Sequence, residues 1–288
     1  MCNKTVAVSV LLMFCAATLS VAQNLDGAPY TPGVDADIDM YIGTWKESMP
    51  NHTHGSLIER DILTKGDPLN PKAKGAILKY INRFAYATLD RYAATIPTTL
   101  KGEQEVLFIL SGKGSITAGD KTADLYEGIA VLMPAELEFT MKNTGEEPLT
   151  MYLINEPIPS GFRPNENMLV NDENATPVSS YKGHWCHIVK PLFNTQSGLG
   201  TLESIITVAF DPMTVGHPHS HDEGVEEVWT AVKGESIAWL GKQIRMQQPG
   251  TGYMIPPDGK TPHSNINISS KQIKMFYFAR YGDHEVRK

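Results

Sequence analysis

Two nine-residue stretches decide the fold: EEVWTAVKG at residues 226–234 and QEVLFILSG at residues 104–112. Each carries a carboxylate, continues through apolar residues typical of strands, and ends at a glycine suited to a turn. Aligned on each other, they bring further residues of the two halves into register: Gly102 with Gly224, Gly128 with Gly250, Pro134 with Pro256 and, after two extra residues in the second copy, Phe139 with His263, Asn143 with Asn267 and Met151 with Met275. The chain therefore contains an internal duplication.

Both copies consist of short apolar segments, such as residues 106–110, 202–210 and 272–279, separated by Gly, Pro, Asn and Asp. Neither copy has a long apolar stripe at helical spacing, so the pattern favours antiparallel strands. Many short strands with turns at regular spacing predict an all-β protein with a barrel or sandwich in each half.

The first 22 residues form a separate class of sequence, in which Lys4 precedes an apolar run and Ser20-Val21-Ala22 suits a signal peptidase. This is the pattern of a secretory signal peptide, and the apolar run is shorter than the ~20 residues that a membrane span needs. We therefore expect a secreted or periplasmic protein without a membrane span. Only Cys186 would remain after cleavage, so no internal disulfide is expected.

The remaining chain is long enough for two domains with cores of their own. The full sequence has a formal charge of −7, and removal of Lys4 with the signal peptide makes it −8, which argues against a nucleic-acid or anionic-membrane partner. Composition predicts five segments: a signal peptide at residues 1–22, a Pro-, Gly- and Asp-rich arm at 23–75, an N-terminal barrel at 76–155, a turn-rich connection at 156–185 and a C-terminal barrel at 186–288.

Four residues of the C-terminal copy have the chemistry and spacing of a metal site. His219 and His221 would point to the same side of a strand, Glu227 follows a short loop, and His263 lies on a later strand. Three imidazoles and a carboxylate leave open positions on a divalent transition metal, which is typical of a reactive site. We expect one such ion, namely Mn, Fe, Ni, Cu or Zn.

This arrangement resembles the two motifs of the cupin superfamily. His219-x-His221, Glu227 and Gly234 follow the first motif, although five residues separate His221 from Glu227 and Met213 stands where a glycine usually opens the motif. The second motif is matched by Gly250, Pro256, Gly259, His263 and Asn267, with two extra residues before His263. The resemblance implies two tandem cupin domains, a bicupin of double-stranded β-helix (jelly-roll) barrels. It also implies a tendency to form homo-oligomers.

Several assignments at the site stay open on the sequence alone. Glu226 competes with Glu227 as the ligand, because it restores the usual four-residue gap after His221; Glu227 is preferred because it keeps the spacing to Gly234. His217 could be a ligand or support one. The pairs His52/His54 and His184/His187 could each offer two ligands, but neither has a matched partner motif.

The N-terminal copy has lost the metal motif. Pro97, Thr99 and Phe139 stand at the positions of His219, His221 and His263, and only Glu105 is kept. A lone carboxylate cannot hold a transition metal, so this barrel is expected to be structural or to shape access to its partner.

The predicted pocket favours a metal-dependent enzyme acting on a small oxygen-rich substrate, such as a sugar acid or a keto or hydroxy acid, which could be carbohydrate-derived. Isomerase, lyase or decarboxylase-type chemistry is the leading hypothesis, with Glu226 or a metal-bound hydroxide as base. A dioxygenase and a non-catalytic extracellular carbohydrate-binding protein are the alternatives. The residues expected to contact substrate are Trp229, Tyr253, Lys260 and Asn265.

Overall fold

A computed structural model describes residues 29–179 and 186–281. The predicted signal peptide therefore lies outside the described residues. Residues 29–35 contain a turn closed by a hydrogen bond of 2.7 Å from the Thr31 amide to the Asp35 carboxylate. From Ala36 onward the chain forms one compact unit that contains both copies of the duplication.

The described unit is almost entirely β-structure, as predicted. Its one α-helix is the single turn α1 (Ile38–Tyr41), capped by the Asp37 side chain, and short 3₁₀ turns occupy Trp45–Glu47 and Thr195–Ser197. In the part of the chain that the structure describes, no helix is long and apolar enough to cross a membrane.

The first set of strands runs from residue 42 to residue 172. It consists of β1 (Ile42–Thr44), β2 (Asn51–Thr53), β3 (Leu57–Lys65), β4 (Ala76–Leu78), β5 (Arg83–Leu89), β6 (Thr98–Thr99), β7 (Glu103–Ser111), β8 (Gly114–Ala118), β9 (Lys121–Leu125), β10 (Ile129–Met133), β11 (Glu138–Asn143), β12 (Leu149–Pro157) and β13 (Leu169–Asp172).

The second set runs from residue 187 to residue 281. It consists of β14 (His187–Asn194), β15 (Ser204–Phe210), β16 (Thr214–Val215), β17 (Val225–Lys233), β18 (Ser236–Leu240), β19 (Gln243–Gln247), β20 (Thr251–Ile255), β21 (His263–Asn267) and β22 (Ile273–Tyr281).

The sheet order repeats the duplication strand by strand. In the N-terminal half the order β10-β7-β12-β5 corresponds to β20-β17-β22-β15 in the C-terminal half, and the smaller sheets β6-β11-β8-β9 and β16-β21-β18-β19 correspond in the same way. The aligned stretches form equivalent strands, because Glu105 pairs with Met133 and Glu227 pairs with Ile255. Each half is therefore a barrel of two antiparallel sheets.

Additional strands extend the edges of the two larger sheets. Strand β1 pairs with β20 of the C-terminal half, whereas β2 and β3 extend the N-terminal sheet next to β5. Strand β13 pairs with β10. The segments predicted as an arm and a connection thus supply strands, which also cover sheet edges that would otherwise be open.

The core explains why the strand at residues 106–110 is apolar without alternation. Leu107 and Ile109 face the interior of the N-terminal barrel, whereas Val106 and Phe108 belong to a second cluster that includes Phe276 of the C-terminal half. Both faces of the strand are buried, so both must be apolar. The metal motif lies in the C-terminal barrel.

Candidate metal centre

Strand β21 brings two of the predicted ligands together. His219 and His263 form an isolated antiparallel bridge, with N···O distances of 2.9 and 3.3 Å between their backbones. His221 lies two residues beyond this bridge and outside a regular strand. The expectation of a continuous strand through His219 and His221 is therefore met only at His219.

The three imidazoles nevertheless converge. Their ring centroids are separated by 4.7 Å for His219 and His221, 4.6 Å for His219 and His263, and 5.0 Å for His221 and His263. One ligand nitrogen from each residue lies within 4.8 Å of the others, so this group could hold a metal ion. His263 is 2% exposed, so the cluster reaches into the barrel interior.

Glu227 faces the same cluster from β17. Its Oε1 lies 2.9 Å from His263 Nε2, and its Oε2 lies 2.9 Å from His221 Nε2. Trp229 Nε1 donates a hydrogen bond to Oε1 (2.5 Å), and the Tyr277 hydroxyl donates one to Oε2 (2.9 Å). Each oxygen is thus held from two sides.

The electrostatics keep Glu227 charged. Burial alone would raise the pKa of this carboxyl, but the adjacent His263 and His221 outweigh burial and hold the pKa well below its usual range. The same carboxylate raises the pKa of His221 against the opposing effect of burial. Glu227 can therefore offer a charged carboxylate to a metal ion in the barrel interior.

His219 is prepared as a neutral ligand. Burial lowers its pKa to about 4, with a smaller contribution from the neighbouring imidazoles. Its Nδ1 lies 2.7 Å from the His217 carbonyl, an arrangement in which Nδ1 carries the proton and Nε2 keeps its lone pair. Buried His263 Nδ1 has no hydrogen-bond partner among the described residues. This donor set of imidazole nitrogens and one carboxylate fits a divalent transition metal.

The geometry corrects the role expected for Glu226. Neighbouring residues of a strand point to opposite faces, and Glu226 accepts hydrogen bonds from the backbone amides of Lys79 and Tyr80 instead of facing the histidines. The residue opposite Glu226 on the adjacent strand β22 is Arg280. Burial raises the pKa of Glu226 to about 7. Glu226 is neither a ligand candidate nor a base at this centre.

The four residues expected to contact substrate separate into three groups. Trp229 lies on the Glu227 side of β17, as strand parity predicts, but its N–H is used by Glu227. Tyr253 and Asn265 are buried and joined by a hydrogen bond of 3.2 Å. Lys260 is exposed in a turn closed by Asp258, so the expectation that it lines the pocket is wrong.

Tyr277 is the functional residue that the sequence did not identify. It lies on β22 directly opposite Trp229, and therefore on the same face as Glu227. Its hydroxyl also forms a short hydrogen bond with Tyr281. The cupin motifs include no residue of this strand, and the only available signal was a tyrosine in an otherwise apolar segment.

The remaining histidines have different surroundings. His217 is exposed, and its carbonyl orients His219. His187 packs against Phe210 and Trp229, with ring centroids 4.7 and 5.8 Å away. His184 lies outside the described residues. His52 is exposed on β2, whereas His54 packs on Phe139 in the N-terminal barrel.

Comparisons with known proteins agree with this architecture. Residues 93–155 match the family model "Cupin domain". The fold is similar to that of Ylba from E. coli, with a TM-score of 0.65 and 14% identity over 88% of this chain and 97% of that chain. A comparison with curated protein sequences finds no significant match.

Two further similar structures belong to proteins of different kinds. One is Bacillus subtilis oxalate decarboxylase, a protein with Mn(II) centres (TM-score 0.62, 12% identity, 88% of this chain and 81% of that chain). The other is the 7S globulin of Momordica charantia (TM-score 0.63, 13% identity, 84% of each chain). Residues 93–155 thus belong to a cupin domain, and the described chain has the bicupin fold.

Proposed function

We propose that the protein is an exported, metal-dependent bicupin enzyme acting on a small oxygen-rich acid. The observation that carries the proposal is the convergence of the His219, His221 and His263 ligand nitrogens within 4.8 Å of one another, with the Glu227 carboxylate 2.9 Å from both His221 and His263. These four residues would hold one divalent ion, Mn, Fe, Ni, Cu or Zn. Export rests on the signal-like segment at residues 1–22.

The bound ion would supply Lewis acidity toward a carboxylate or carbonyl oxygen of the substrate. The chain itself orients and protects the ligands. Trp229 and Tyr277 fix the Glu227 carboxylate through one hydrogen bond to each oxygen. Such second contacts hold a ligand in its binding geometry.

Because Glu226 faces away, the groups that border the Glu227 carboxylate on the outer side are tyrosines. Burial raises the pKa of Tyr277 well above its usual range, so its hydroxyl stays protonated and can donate. Tyr281, 40% exposed, is hydrogen bonded to Tyr277. The pair therefore forms a hydrogen-bonded connection from Glu227 to the protein surface.

The substrate class follows from the ligand chemistry. A small keto, hydroxy or sugar acid offers two oxygens to one ion, whereas an amine-rich or large apolar substrate would not. The shared fold with oxalate decarboxylase supports testing decarboxylation, isomerisation and lyase reactions first.

The test is to incubate the metal-loaded protein with a panel of small acids (oxalate, malate, gluconate). NMR identifies the products, and an oxygen electrode measures oxygen consumption in the same reactions. Product formation without oxygen consumption, lost in His219→Ala and kept in the matched control His52→Ala, is the expected result. Stoichiometric oxygen consumption would instead identify a dioxygenase. Saturable binding without turnover would identify a non-catalytic binding protein.

A further inference from the structure

A second polar pocket lies in the barrel that lacks the metal motif. It has a volume of about 380 Å³, which lies in the range of small-ligand sites. It contains Glu105, the counterpart of Glu227, and His54 packs on Phe139, which occupies the His263 position. The pocket is thus the N-terminal equivalent of the histidine cluster, with different chemistry.

Most polar groups of this pocket are fixed by one another. Arg83 forms a short ion pair with Glu59, and the Thr53 hydroxyl donates to the same carboxylate. Asn155 Nδ2 donates to Glu105 Oε1 (3.0 Å) and to Glu103 Oε1 (3.2 Å). The lining is therefore organised before any ligand binds.

Three atoms of the lining remain without a hydrogen-bond partner among the described residues: Glu105 Oε2, Asn155 Oδ1 and His54 Nδ1. Glu105 is 2% exposed and Asn155 is 5% exposed, so water does not readily satisfy these atoms. A buried polar atom without a hydrogen-bond partner destabilises the folded protein. A partner for these atoms would therefore stabilise the pocket.

Two of the three unpartnered atoms are hydrogen-bond acceptors, because a carboxylate oxygen and an amide oxygen can only accept. His54 Nε2 lies 3.3 Å from Glu105 Oε1, so Nδ1 is the ring nitrogen left to meet a ligand. The missing partner must therefore carry several N–H or O–H donors.

The charge of the lining decides between these donors. Three carboxylates, those of Glu59, Glu103 and Glu105, outnumber the guanidinium of Arg83 and the imidazole of His54, so the lining carries excess negative charge. A metal ion is a poor candidate, since among the described residues the only close group of three His, Cys, Asp or Glu ligands is that of His219, His221 and His263. A protonated amine combines donors with positive charge.

We propose that the N-terminal barrel binds a small ligand bearing a protonated amine, with Glu105 and Asn155 as its acceptors and His54 beside them. The C-terminal barrel would hold the metal, so the duplicated barrels would bind different chemistries. The proposal does not depend on the function assigned to the metal centre.

The test is calorimetric titration of the purified full chain with three matched probes: ethanolamine, ethylene glycol and glycolate. We expect ethanolamine to bind at least about tenfold more tightly than its neutral analogue, and glycolate not to bind. Glu105→Gln should weaken ethanolamine binding at least about tenfold. His219→Ala should leave it unchanged, which excludes binding to the metal centre.

Glu103→Gln serves as a second variant, because Glu103 is partly exposed and less sensitive to a folding defect. It should also weaken ethanolamine binding while the melting temperature is retained. The proposal is overturned if wild type gives no saturable heat with ethanolamine, if ethylene glycol or glycolate binds equally well, or if both Glu variants fold and bind like wild type.

Discussion

The Glu227 carboxylate is held by four side chains. Two imidazoles and two neutral donors meet its two oxygens, and it is only 3% exposed. A buried carboxylate is tolerated when it is paired and hydrogen bonded, and such support also fixes its orientation toward a metal. The surrounding donors are therefore part of the site.

The Tyr277→Phe variant tests that support. Removing the hydroxyl leaves Glu227 Oε2 with one fewer donor, so we expect metal affinity to fall about tenfold or more. Competition with a fluorescent chelator measures it. Tyr253→Phe is the matched control, since this equally buried hydroxyl bonds to Ser264 and Asn265 instead of Glu227. Equal affinities in both variants and wild type would contradict a supporting role for Tyr277.

Glu226 gives a prediction about stability and pH. Its pKa is raised by burial from 4.5 to about 7, so the folded protein keeps a proton that the unfolded chain has lost in this window. The free energy of unfolding should therefore fall as pH rises from 4.5 to 7, by on the order of 2–3 kcal/mol from this group.

In Glu226→Gln, the free energy of unfolding should no longer show this decrease between pH 4.5 and 7, as measured by urea unfolding at several pH values. Exposed Glu138→Gln is the control and should follow wild type. Parallel pH dependences of wild type and Glu226→Gln would show that Glu226 is not protonated in the folded protein.

At the scale of elements, the sequence predicts the repeated strands well, since the apolar runs and glycines keep their spacing in both copies. It fails where a side chain depends on its local surroundings. Lys260 is exposed because Asp258 closes a turn around it. Tyr277 reaches Glu227 because β22 lies beside β17, a pairing that no motif spacing reveals.

Strand β1 approaches the backbone of β3 closely at Gly43. A Cβ on Gly43 would lie 2.0 Å from the Ile62 carbonyl oxygen of β3, so a side chain would push β1 and β3 apart. Gly43→Ala should destabilise the protein by about 1–3 kcal/mol. In Gly145→Ala the added Cβ meets its nearest atoms at 3.5 Å, and that variant should change stability little. Equal unfolding midpoints in denaturant would contradict the close approach.

The two barrels share an aromatic core that neither copy of the duplication reveals alone. Phe108 stacks on Phe276 and Phe84 meets Phe278, each pair at 5.0 Å between centroids. The Tyr152 hydroxyl donates to the Ala231 carbonyl (2.6 Å) and accepts from the Gly250 amide (3.0 Å). The sequence predicts that these aromatic residues lie in strands. It does not predict which aromatic residue of the other half each one contacts.

This shared core predicts that both barrels unfold together. Scanning calorimetry should show one transition, and Phe276→Ala should shift it by about 3–5 kcal/mol of unfolding free energy. Leu137→Ala, a substitution on the N-terminal barrel's own cluster, is the control: it should lower the same single transition without splitting it. Two separate transitions in wild type would contradict a common core.

The central claim is that the C-terminal barrel holds one metal ion through His219, His221, Glu227 and His263. Elemental analysis of untagged protein tests it most directly, on wild type, His263→Ala and His52→Ala. We predict about one Mn, Fe, Ni, Cu or Zn per chain in wild type and His52→Ala, and loss of the ion in folded His263→Ala. No metal in wild type, or full occupancy in His263→Ala, would contradict the account.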